Sequence, residues 1–426
     1  MTDVSATPTF AALGLSPLLV RAARALELEQ PTPVQVGVIP AVLRGDDVWA
    51  SAQTGSGKTL AFVLPLYDVL AATRGQRSPL PVRALVLAPT RELAAQILQV
   101  IEDLGQQLAA PLKACLAAGG VSINPQMMAL RGGADIVVAT PGRLLDLVEH
   151  NALRLGSVAT LVLDEADRML SLGFADELAR VLALLPARRQ NLLLSATFPP
   201  AVQELAARLL TRPTRIDVDA GQLPAAALIA QRAILVDAGK RTMLLRHLLE
   251  VHGWSHVLVF VSSGARADHV AIKLTRAGIA AAPLHGGLSQ GTRAQALADF
   301  KAQRLRVLVA TDVAARGLDI EQLPAVVNYE LPRSSNDYLH RIGRTGRAGE
   351  SGVAISFVVA DDRAHWQLIE KRHRLRLARE QLPGFEPTDV PSPTRDAHGG
   401  VKGKRKSKKD KQRELAAADD PARDKP

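Results

Sequence analysis

The chain has 426 residues, of which 47% are apolar but only 3% aromatic, and its net charge is +10 at pH 7. This length is enough for two domains and a tail. No apolar run is long enough to cross a bilayer, and the N-terminus lacks the pattern of a secretion signal. The single cysteine, Cys115, excludes an intrachain disulfide and a cysteine-based zinc site. We therefore expect a cytoplasmic protein whose positive charge favours a polyanionic partner.

Short apolar strands alternate with amphipathic helical patterns along most of the chain. The predicted strands are Val82–Pro89, Ala134–Thr140, Thr160–Asp164, Asn191–Ser195, His256–Val261, Arg306–Ala310, Ala325–Asn328 and Val353–Val359. Strands that are apolar on both faces indicate parallel sheets covered by helices on both sides. Thr211–Pro224 is rich in proline and polar residues, which is typical of a linker. The sequence therefore predicts an α/β fold of two doubly wound parallel-sheet domains.

A glycine-rich segment after a short apolar stretch predicts a phosphate-binding loop. It is Ala52-Gln53-Thr54-Gly55-Ser56-Gly57-Lys58-Thr59, and a helix begins near its end. The glycines let backbone N–H groups converge on one anion, and the helix adds the positive end of its dipole. Lys58 would reach the terminal phosphates, and the Thr59 hydroxyl would bind Mg²⁺. Because Ala52 stands where the strict pattern has glycine, an ordinary glycine-rich turn is the alternative for this segment alone.

Two adjacent carboxylates follow the apolar strand that ends at Leu163. Asp164 would hold the hydration shell of Mg²⁺, and Glu165 would orient and deprotonate an attacking water. The alternative is a solvated acidic turn after a core strand. Together with the glycine-rich loop, the pair predicts a nucleoside triphosphate site.

The composition changes beyond Pro383. Proline and charged residues accumulate, and residues 402–413 contain 8 basic residues in 12. This stretch cannot bury a core, so we predict a disordered basic tail over 383–426. The dense basic block favours attraction of nucleic acid over a purely solubilising role.

The ordered set of motifs resembles the DEAD-box RNA helicases over roughly residues 8–380. The matching motifs are Pro31-Thr-Pro-Val-Gln35, the loop 52–59, Pro89-Thr-Arg-Glu-Leu93, Thr140-Pro-Gly-Arg143, Asp164-Glu-Ala-Asp167, Ser195-Ala-Thr197, His285-Gly286, Ala310-Thr-Asp-Val-Ala-Ala-Arg-Gly-Leu-Asp319 and His340-Arg-Ile-Gly-Arg-Thr-Gly-Arg347. The step Pro383-Gly-Phe-Glu-Pro387 and the basic tail resemble the bacterial RhlE-like branch.

The resemblance implies two tandem RecA-like domains. The expected boundaries are 8–36 for a Q motif region, 37–212 for the ATP-binding domain, 213–224 for a linker, 225–382 for the second domain and 383–426 for the tail. The implied activity is RNA-stimulated ATP hydrolysis that unwinds short duplexes or remodels RNA–protein complexes. ATP and Mg²⁺ are the implied cofactors.

The resemblance also implies roles at the nucleotide. Gln35 would read the adenine edge, Asp319 would hold the ribose, and Arg316 would support the assembled site. Arg344 and Arg347 resemble arginine fingers that reach the γ-phosphate from the second domain. The residues implied to couple nucleotide and RNA are Asp167, Ser195, Thr197 and His340.

For RNA, the resemblance implies contacts to the backbone without sequence readout. The implied contact residues are Thr90, Arg91, Gly120, Thr140, Gly142, Arg143, Gly286 and Thr311. Two positions depart from the family. Leu28 stands where an aromatic residue is usual, and Phe10 upstream would supply part of the adenine packing. Ser262 stands where a basic residue is frequent.

RNA is therefore the expected partner, with ribosomal or mRNA-decay particles as possible targets. We expect a monomer that does not bind a membrane. A nonhydrolytic RNA-binding protein is one rival, which the intact Glu165, Arg344 and Arg347 disfavour. A translocating DNA helicase is another, which Gln35 and Asp167 disfavour. A small-molecule kinase with a phosphate-binding loop would leave the second half of the chain unexplained.

Overall fold

The computed structural model describes residues 8–52, 55–73, 75, 78–218, 229–315, 322–346 and 352–390. The first half contains strands β1 Val48–Ser51, β2 Ala84–Leu87, β3 Ala114–Ala117, β4 Ile136–Ala139, β5 Thr160–Leu163, β6 Gln190–Ser195 and β7 Thr214–Asp217. Its helices are α1 Pro17–Ala25, α2 Pro33–Arg44, α3 Lys58–Ala72, α4 Arg91–Gln106, α5 Asn124–Ala129, α6 Pro141–Glu149, α7 Ala166–Ser171, α8 Ala175–Ala183 and α9 Pro200–Leu209.

These strands form one parallel sheet in the order β3-β4-β2-β5-β6-β1-β7. β2, β4 and β5 are buried at every position, because helices cover both faces. Alternate strand residues enter two separate cores, so Val86 packs in one and Leu85 in the other. Since all strands run the same way, their carboxyl ends meet at one edge, where the loops to the next helices emerge.

The second half repeats this architecture in the described part of the chain. Its strands are β8 Ile229–Leu235, β9 Val257–Val261, β10 Ala281–Leu284, β11 Val307–Thr311, β12 Ala325–Asn328, β13 Gly352–Val358 and β14 Arg379–Glu380. Its helices are α10 Arg241–His252, α11 Gly264–Arg276, α12 Gln290–Lys301, α13 Asp312–Ala315, α14 Ser335–Ile342 and α15 Arg363–His373. The strand order is β10-β11-β9-β12-β13-β8-β14, again parallel. The predicted pair of doubly wound parallel sheets is therefore confirmed.

All eight predicted strands are present with boundaries shifted by up to a few residues. β3, β8, β10 and β14 lack a predicted counterpart, since their sequences are alanine-rich or carry polar residues, and β1 is predicted only as the short apolar stretch before the glycine-rich loop. The predicted linker begins with a strand: β7 pairs with β1 at the edge of the first sheet. Its alternating exposure, typical of an edge strand, has no continuous apolar run to mark it. Residues 219–224 of that linker lie outside the described residues.

The N-terminal region belongs to the first domain. Phe10 and Leu19 are buried in the same core as Val34 and Val38 of α2. The Ser16 N–H also donates to the Asp68 carboxylate on α3 at 2.7 Å. Residues 8–36 are therefore fastened directly to the helix that follows the glycine-rich loop.

The predicted tail begins with an ordered segment, residues 383–390, so disorder from 383 is wrong for its first eight positions. Phe385 packs against the second domain. The Asp237 carboxylate accepts the N–H groups of Thr388 and Asp389 at 2.8 Å each, and it is only 5% exposed. The Asp237 side chain of the second domain therefore anchors the segment 383–390 through two backbone N–H groups. The basic block at 402–413 lies outside the described residues.

Within the described residues, no helix combines the length and apolarity that a bilayer crossing requires.

We predict that acid detaches residues 386–390 from the second domain. Hydrogen bonds led by the Asp389 N–H lower the pKa of Asp237 to about 2. The charged form is thus favoured in the folded state, so this anchor is complete above about pH 4, the ordinary aspartate range, and is lost as the pH falls towards 2. Amide hydrogen exchange of this segment, expressed as protection factors, measures the loss. Asp237→Asn should lower protection already at pH 7, whereas the control Glu250→Gln should not; equal protection in both variants would contradict the assignment.

Candidate nucleotide site between two domains

The glycine-rich loop lies at the carboxyl edge of the first sheet, between β1 and α3. Gly55 and Gly57 have φ angles of 77° and 89°, a conformation that side chains with a Cβ rarely adopt. Lys58 is buried, and its Nζ donates to the Ala52 carbonyl oxygen at 2.6 Å. This contact holds the ammonium group over the loop. Ser56 and Thr59 lie in the same turn and at the start of α3, while Gln53 and Thr54 lie outside the described residues.

Asp164 and Glu165 follow β5 at the same edge, because β6 alone separates β5 from β1. Asp164 is 2% exposed, and its Oδ1 accepts the Glu165 N–H at 3.0 Å. Burial raises the pKa of Asp164 to about 7, although the Lys58 ammonium opposes the shift. Glu165 has a φ angle of 52° and begins α7. A buried carboxylate thus lies near Lys58 of the loop, at a position where a bound cation would favour its charged form.

Gln35 reaches the loop from α2 and is 3% exposed. Its Nε2 donates to the Gly57 carbonyl oxygen at 3.2 Å, and its Oε1 accepts the Thr32 N–H at 2.9 Å. A Cβ at Gly57 would lie 2.6 Å from the Gln35 amide, so only glycine fits here. The amide keeps one N–H and one lone pair for a further partner.

Asp167 is joined to the Ser195–Thr197 segment by direct hydrogen bonds. Its Oδ2 accepts the Thr197 hydroxyl at 2.6 Å, and its N–H donates to the Ser195 Oγ at 3.3 Å. The Ser195 carbonyl also accepts the Ala52 N–H at 3.1 Å. The structure therefore brings the three coupling residues of this domain together beside the glycine-rich loop.

The RNA-contact residues predicted in the first domain gather around loop 118–121. Arg91 donates to the carbonyls of Ala118 and Gly119, each at 3.2 Å, and Arg143 donates to the Val121 carbonyl at 2.8 Å. The Thr140 hydroxyl accepts the Gly119 N–H at 3.4 Å. Two guanidinium groups thereby fix a surface loop that contains Gly120. Thr90 caps α4, and Gly142 lies in the first turn of α6.

Arg341, to which no role was assigned from the sequence, anchors α14 in the second domain. It is 2% exposed, and its guanidinium binds both carboxylate oxygens of Asp312 at 2.6 and 2.7 Å. It also stacks over the Phe260 ring at 4.9 Å. Removing one partner of such a buried pair costs about 3–5 kcal/mol. The pair therefore fixes the helix that carries His340 and precedes Arg344.

His340 and Arg344 line a cavity of about 290 Å³ between the two domains. The complete lining is Glu165, Asp167, Arg168, Ser171, Ala196, Thr197, Pro199, Ser334, Asp337, His340 and Arg344. We call it the interdomain cavity. The predicted general base and one predicted arginine finger therefore lie at the same cleft. Arg316, Asp319 and Arg347 lie outside the described residues.

A second contact between the domains joins α12 to the loop region of the first domain. Arg293 forms an ion pair with Glu92 at 2.8 Å, and both side chains are about nine-tenths buried. Gln290 lies over Gly120, where a Cβ would be 2.9 Å from its amide nitrogen. Sequence reasoning assigned no role to these three partners, although Glu92 lies inside the Pro89–Leu93 motif. Gly286 follows β10 and Thr311 ends β11, at the carboxyl edge of the second sheet.

The two positions that depart from the family pattern, Leu28 and Ser262, have different surroundings in the structure. Phe10 is 4% exposed in the core of the first domain, and Leu28 is half-buried against the same core. Ser262 donates its hydroxyl to Glu330 at 2.5 Å, and Arg266 lies 3.3 Å from the same carboxylate. A basic group is thus present beside Ser262, supplied one helical turn later.

Two family models match the chain. Residues 32–205 match the DEAD/DEAH box helicase model, and residues 239–349 match the helicase conserved C-terminal domain. The chain is 39% identical over 380 residues to the DEAD-box ATP-dependent RNA helicase CshA of Bacillus subtilis, covering 89% of this chain and 75% of that protein. It is 42% identical over 370 residues to the DEAD-box ATP-dependent RNA helicase 28 of Oryza sativa, covering 85% of this chain but only 45% of the rice protein.

Solved structures are similar to this chain over both of its halves. Saccharomyces cerevisiae Dbp5 bound to RNA and ADP BeF3 is 31% identical, with a TM-score of 0.76 and coverage of 88% of this chain and 96% of Dbp5. A DEAD box protein from Methanococcus jannaschii is more similar in sequence, at 36%, yet its TM-score is 0.51 with coverage of 88% and 99%.

We predict that the Glu92–Arg293 pair holds the two domains together. Arg293→Glu places two carboxylates in contact at a buried site and should cost the closed arrangement about 2 kcal/mol or more. Single-molecule energy transfer between dyes on the two domains, with an RNA oligonucleotide and a nonhydrolysable ATP analogue, measures closure. The double variant Glu92→Arg with Arg293→Glu should regain it. The control Arg304→Glu breaks an exposed pair within the second domain and should close normally; equal closure by all variants would contradict the role.

Proposed function

The chain belongs to the DEAD-box family of ATP-dependent RNA helicases, and we propose that it clamps RNA between its two domains when ATP assembles the split site. The observation that carries this proposal is the interdomain cavity, where Glu165 of the first domain and Arg344 of the second line one space. Neither domain alone presents both groups. Hydrolysis therefore depends on closure, and anything that favours closure accelerates it.

The nucleotide contacts follow from the geometry of the first domain. The backbone N–H groups around Gly55 and Gly57 bind phosphate oxygens, and Lys58 neutralises their charge. Glu165 orients the attacking water and accepts its proton. Arg344 stabilises the charge on the transferring phosphoryl group from the opposite side of the cleft.

We propose Mg²⁺ as the metal that accompanies ATP, held by the Thr59 hydroxyl and, through water, by Asp164. The support is the chemistry of the donors: Asp164 is buried, its pKa is raised to about 7, and a cation restores its charge. Among the described residues no cluster of three or more histidine, cysteine, aspartate or glutamate side chains could form a metal cage. That fits Mg²⁺, which uses one or two carboxylates, waters and phosphate oxygens. When bound, the ion would neutralise charge on the phosphates.

RNA binds across the surface where the two domains meet. Arg91 and Arg143 hold loop 118–121, and Gln290 of the second domain lies over Gly120 of that loop. Contacts of backbone amides and small residues with phosphates carry no sequence information. Because RNA and ATP both favour closure, each should raise the affinity for the other by the same factor. A strand bent in this clamp cannot stay paired, so short duplexes melt locally.

Two rival functions make different predictions. A nonhydrolytic RNA chaperone would bind RNA without releasing phosphate from ATP. A DNA helicase would be stimulated by single-stranded DNA at least as well as by RNA. The intact Glu165 and Arg344 and the engaged Gln35 favour the RNA-dependent ATPase.

We also propose a bacterial RhlE-like subtype, a monomeric and cytoplasmic state, and substrates among ribosomal or mRNA-decay particles. The support for the subtype is the Pro383–Pro387 step. The basic block at 402–413 would bind RNA phosphates as a tether, which raises the local RNA concentration near the clamp.

The decisive test is ATP hydrolysis with and without RNA, combined with Glu165→Gln. We expect slow hydrolysis alone, strong stimulation by single-stranded RNA, and weaker stimulation by DNA. Glu165→Gln removes the base but keeps the shape, so it should lower the rate by about 10²–10⁴-fold and retain RNA with ATP in a closed complex. Phosphate release and RNA anisotropy measure the two effects. The exposed control Glu102→Gln should behave as the parent. Equal rates with and without RNA would refute the coupling.

Gln35→Ala should reduce the preference for ATP over GTP. The free N–H and lone pair of the amide match the acceptor and donor on the adenine edge, whereas guanine presents the opposite pattern. Competition of ATP and GTP for a fluorescent nucleotide analogue measures the preference. The control Gln99→Ala removes an exposed amide from α4. An unchanged ratio would leave Gln35 as a support of the loop rather than a reader of the base.

A further inference from the structure

Arg168, which follows the Asp164–Asp167 motif on α7, has hydrogen-bond donors that nothing satisfies among the described residues. Its Nε and Nη2 atoms are buried without a partner, whereas its Nη1 donates a long hydrogen bond to the Ser171 hydroxyl at 3.4 Å. Buried guanidinium N–H groups without acceptors are costly, and arginine cannot avoid the cost by losing its proton. The side chain lines the interdomain cavity. A cavity wall with unsatisfied cationic donors points to an anionic ligand that occupies it for part of the cycle.

We propose that the interdomain cavity is the site through which inorganic phosphate leaves after hydrolysis, and that Arg168 binds it on the way. This proposal rests on the proposed ATPase function and assigns Arg168 a role after the chemical step.

The direction of the reaction leads from the nucleotide to this cavity. The water oxygen forms a bond to the γ-phosphorus while the bond from phosphorus to the bridging oxygen breaks, and its electron pair stays on ADP. One proton of the water passes to Glu165. Attack and departure are in line, so the new phosphate moves towards the water side, away from ADP on the glycine-rich loop. Glu165 lies on that side and lines the cavity.

The carboxylates that line the cavity favour brief rather than tight binding of phosphate. Asp167 and Asp337 also line it, so a phosphate held by Arg168 has carboxylates nearby. The Asp167 Oδ2 atom already accepts the Thr197 hydroxyl and N–H, and Arg168 forms no ion pair within the described part of the chain. The Nε and Nη2 donors of Arg168 therefore remain available to a phosphate, while repulsion from the carboxylates keeps its binding weak.

The experiment separates hydrolysis from phosphate release in a single turnover with saturating RNA. Quenched-flow measurement of ADP reports hydrolysis, and a fluorescent phosphate-binding protein reports release. In Arg168→Ala, hydrolysis should stay within about twofold of the parent while release slows about tenfold, as expected for losing charge-assisted hydrogen bonds. Added inorganic phosphate should also inhibit this variant less. Arg168→Lys keeps the charge but not the fork of donors, so its release rate should be intermediate.

Arg180→Ala is the matched control, because Arg180 is exposed on α8 and pairs with Glu149 on α6. It should release phosphate as the parent does. Unchanged release in Arg168→Ala, or an equal fall of hydrolysis and release, would overturn the proposal. A weaker complex with RNA and ADP BeF3, seen by anisotropy, would instead make Arg168 a closure residue and also overturn it. A parent that shows no RNA-dependent hydrolysis would refute the proposed function itself, which is a distinct result.

Discussion

The division of one charged site between two separately folded domains is the constraint on which the rest of this molecule depends. The first domain collects carboxylates and a phosphate loop, and the second supplies guanidinium groups. Each half alone carries groups that are unfavourable to bury without the other. Asp164 illustrates this, because burial already raises its pKa to about 7. In the function we propose, closure around a nucleotide and its cation would resolve this imbalance, and the free energy of assembling the site would then be available for binding RNA.

The same architecture connects the proposed nucleotide site to the proposed RNA site. Parallel strands place every functional loop of a domain at one edge of its sheet. The nucleotide residues follow β1 and β5, and the residues that hold loop 118–121 follow β2 and β4. The Ser195 carbonyl binds the Ala52 N–H, and Asp167 binds Thr197, so the segment after β6 contacts both the loop and the motif after β5. Direct hydrogen bonds therefore link the glycine-rich loop, the segment at the end of β6 and the motif after β5.

The second domain presents its groups with comparable rigidity. Arg341 is buried against Asp312 and Phe260, and this fixes α14. His340 is exposed to the cleft by the same helix, and Arg344 follows it. Arg168 belongs to the opposite wall of that cleft. Arg168, to which we assign phosphate release, thus lines the same cavity as Glu165 and Arg344, to which we assign hydrolysis.

The sequence by itself determined the fold class and the family and predicted the residues of the site, because these depend on local patterns. Apolar strands, the glycines of the loop and the Asp164–Asp167 motif carry their meaning in neighbouring residues. Only the tertiary structure decided the edge strand β7, the ordered segment 383–390, the core position of Phe10 and the pairing of Glu92 with Arg293. Those features depend on contacts between residues distant in the chain. β7 is a strand because it pairs with β1, the segment 383–390 is ordered because it binds Asp237, and Arg293 is buried because it pairs with Glu92. The unsatisfied donors of Arg168 belong to the same class, since burial is a property of the folded whole.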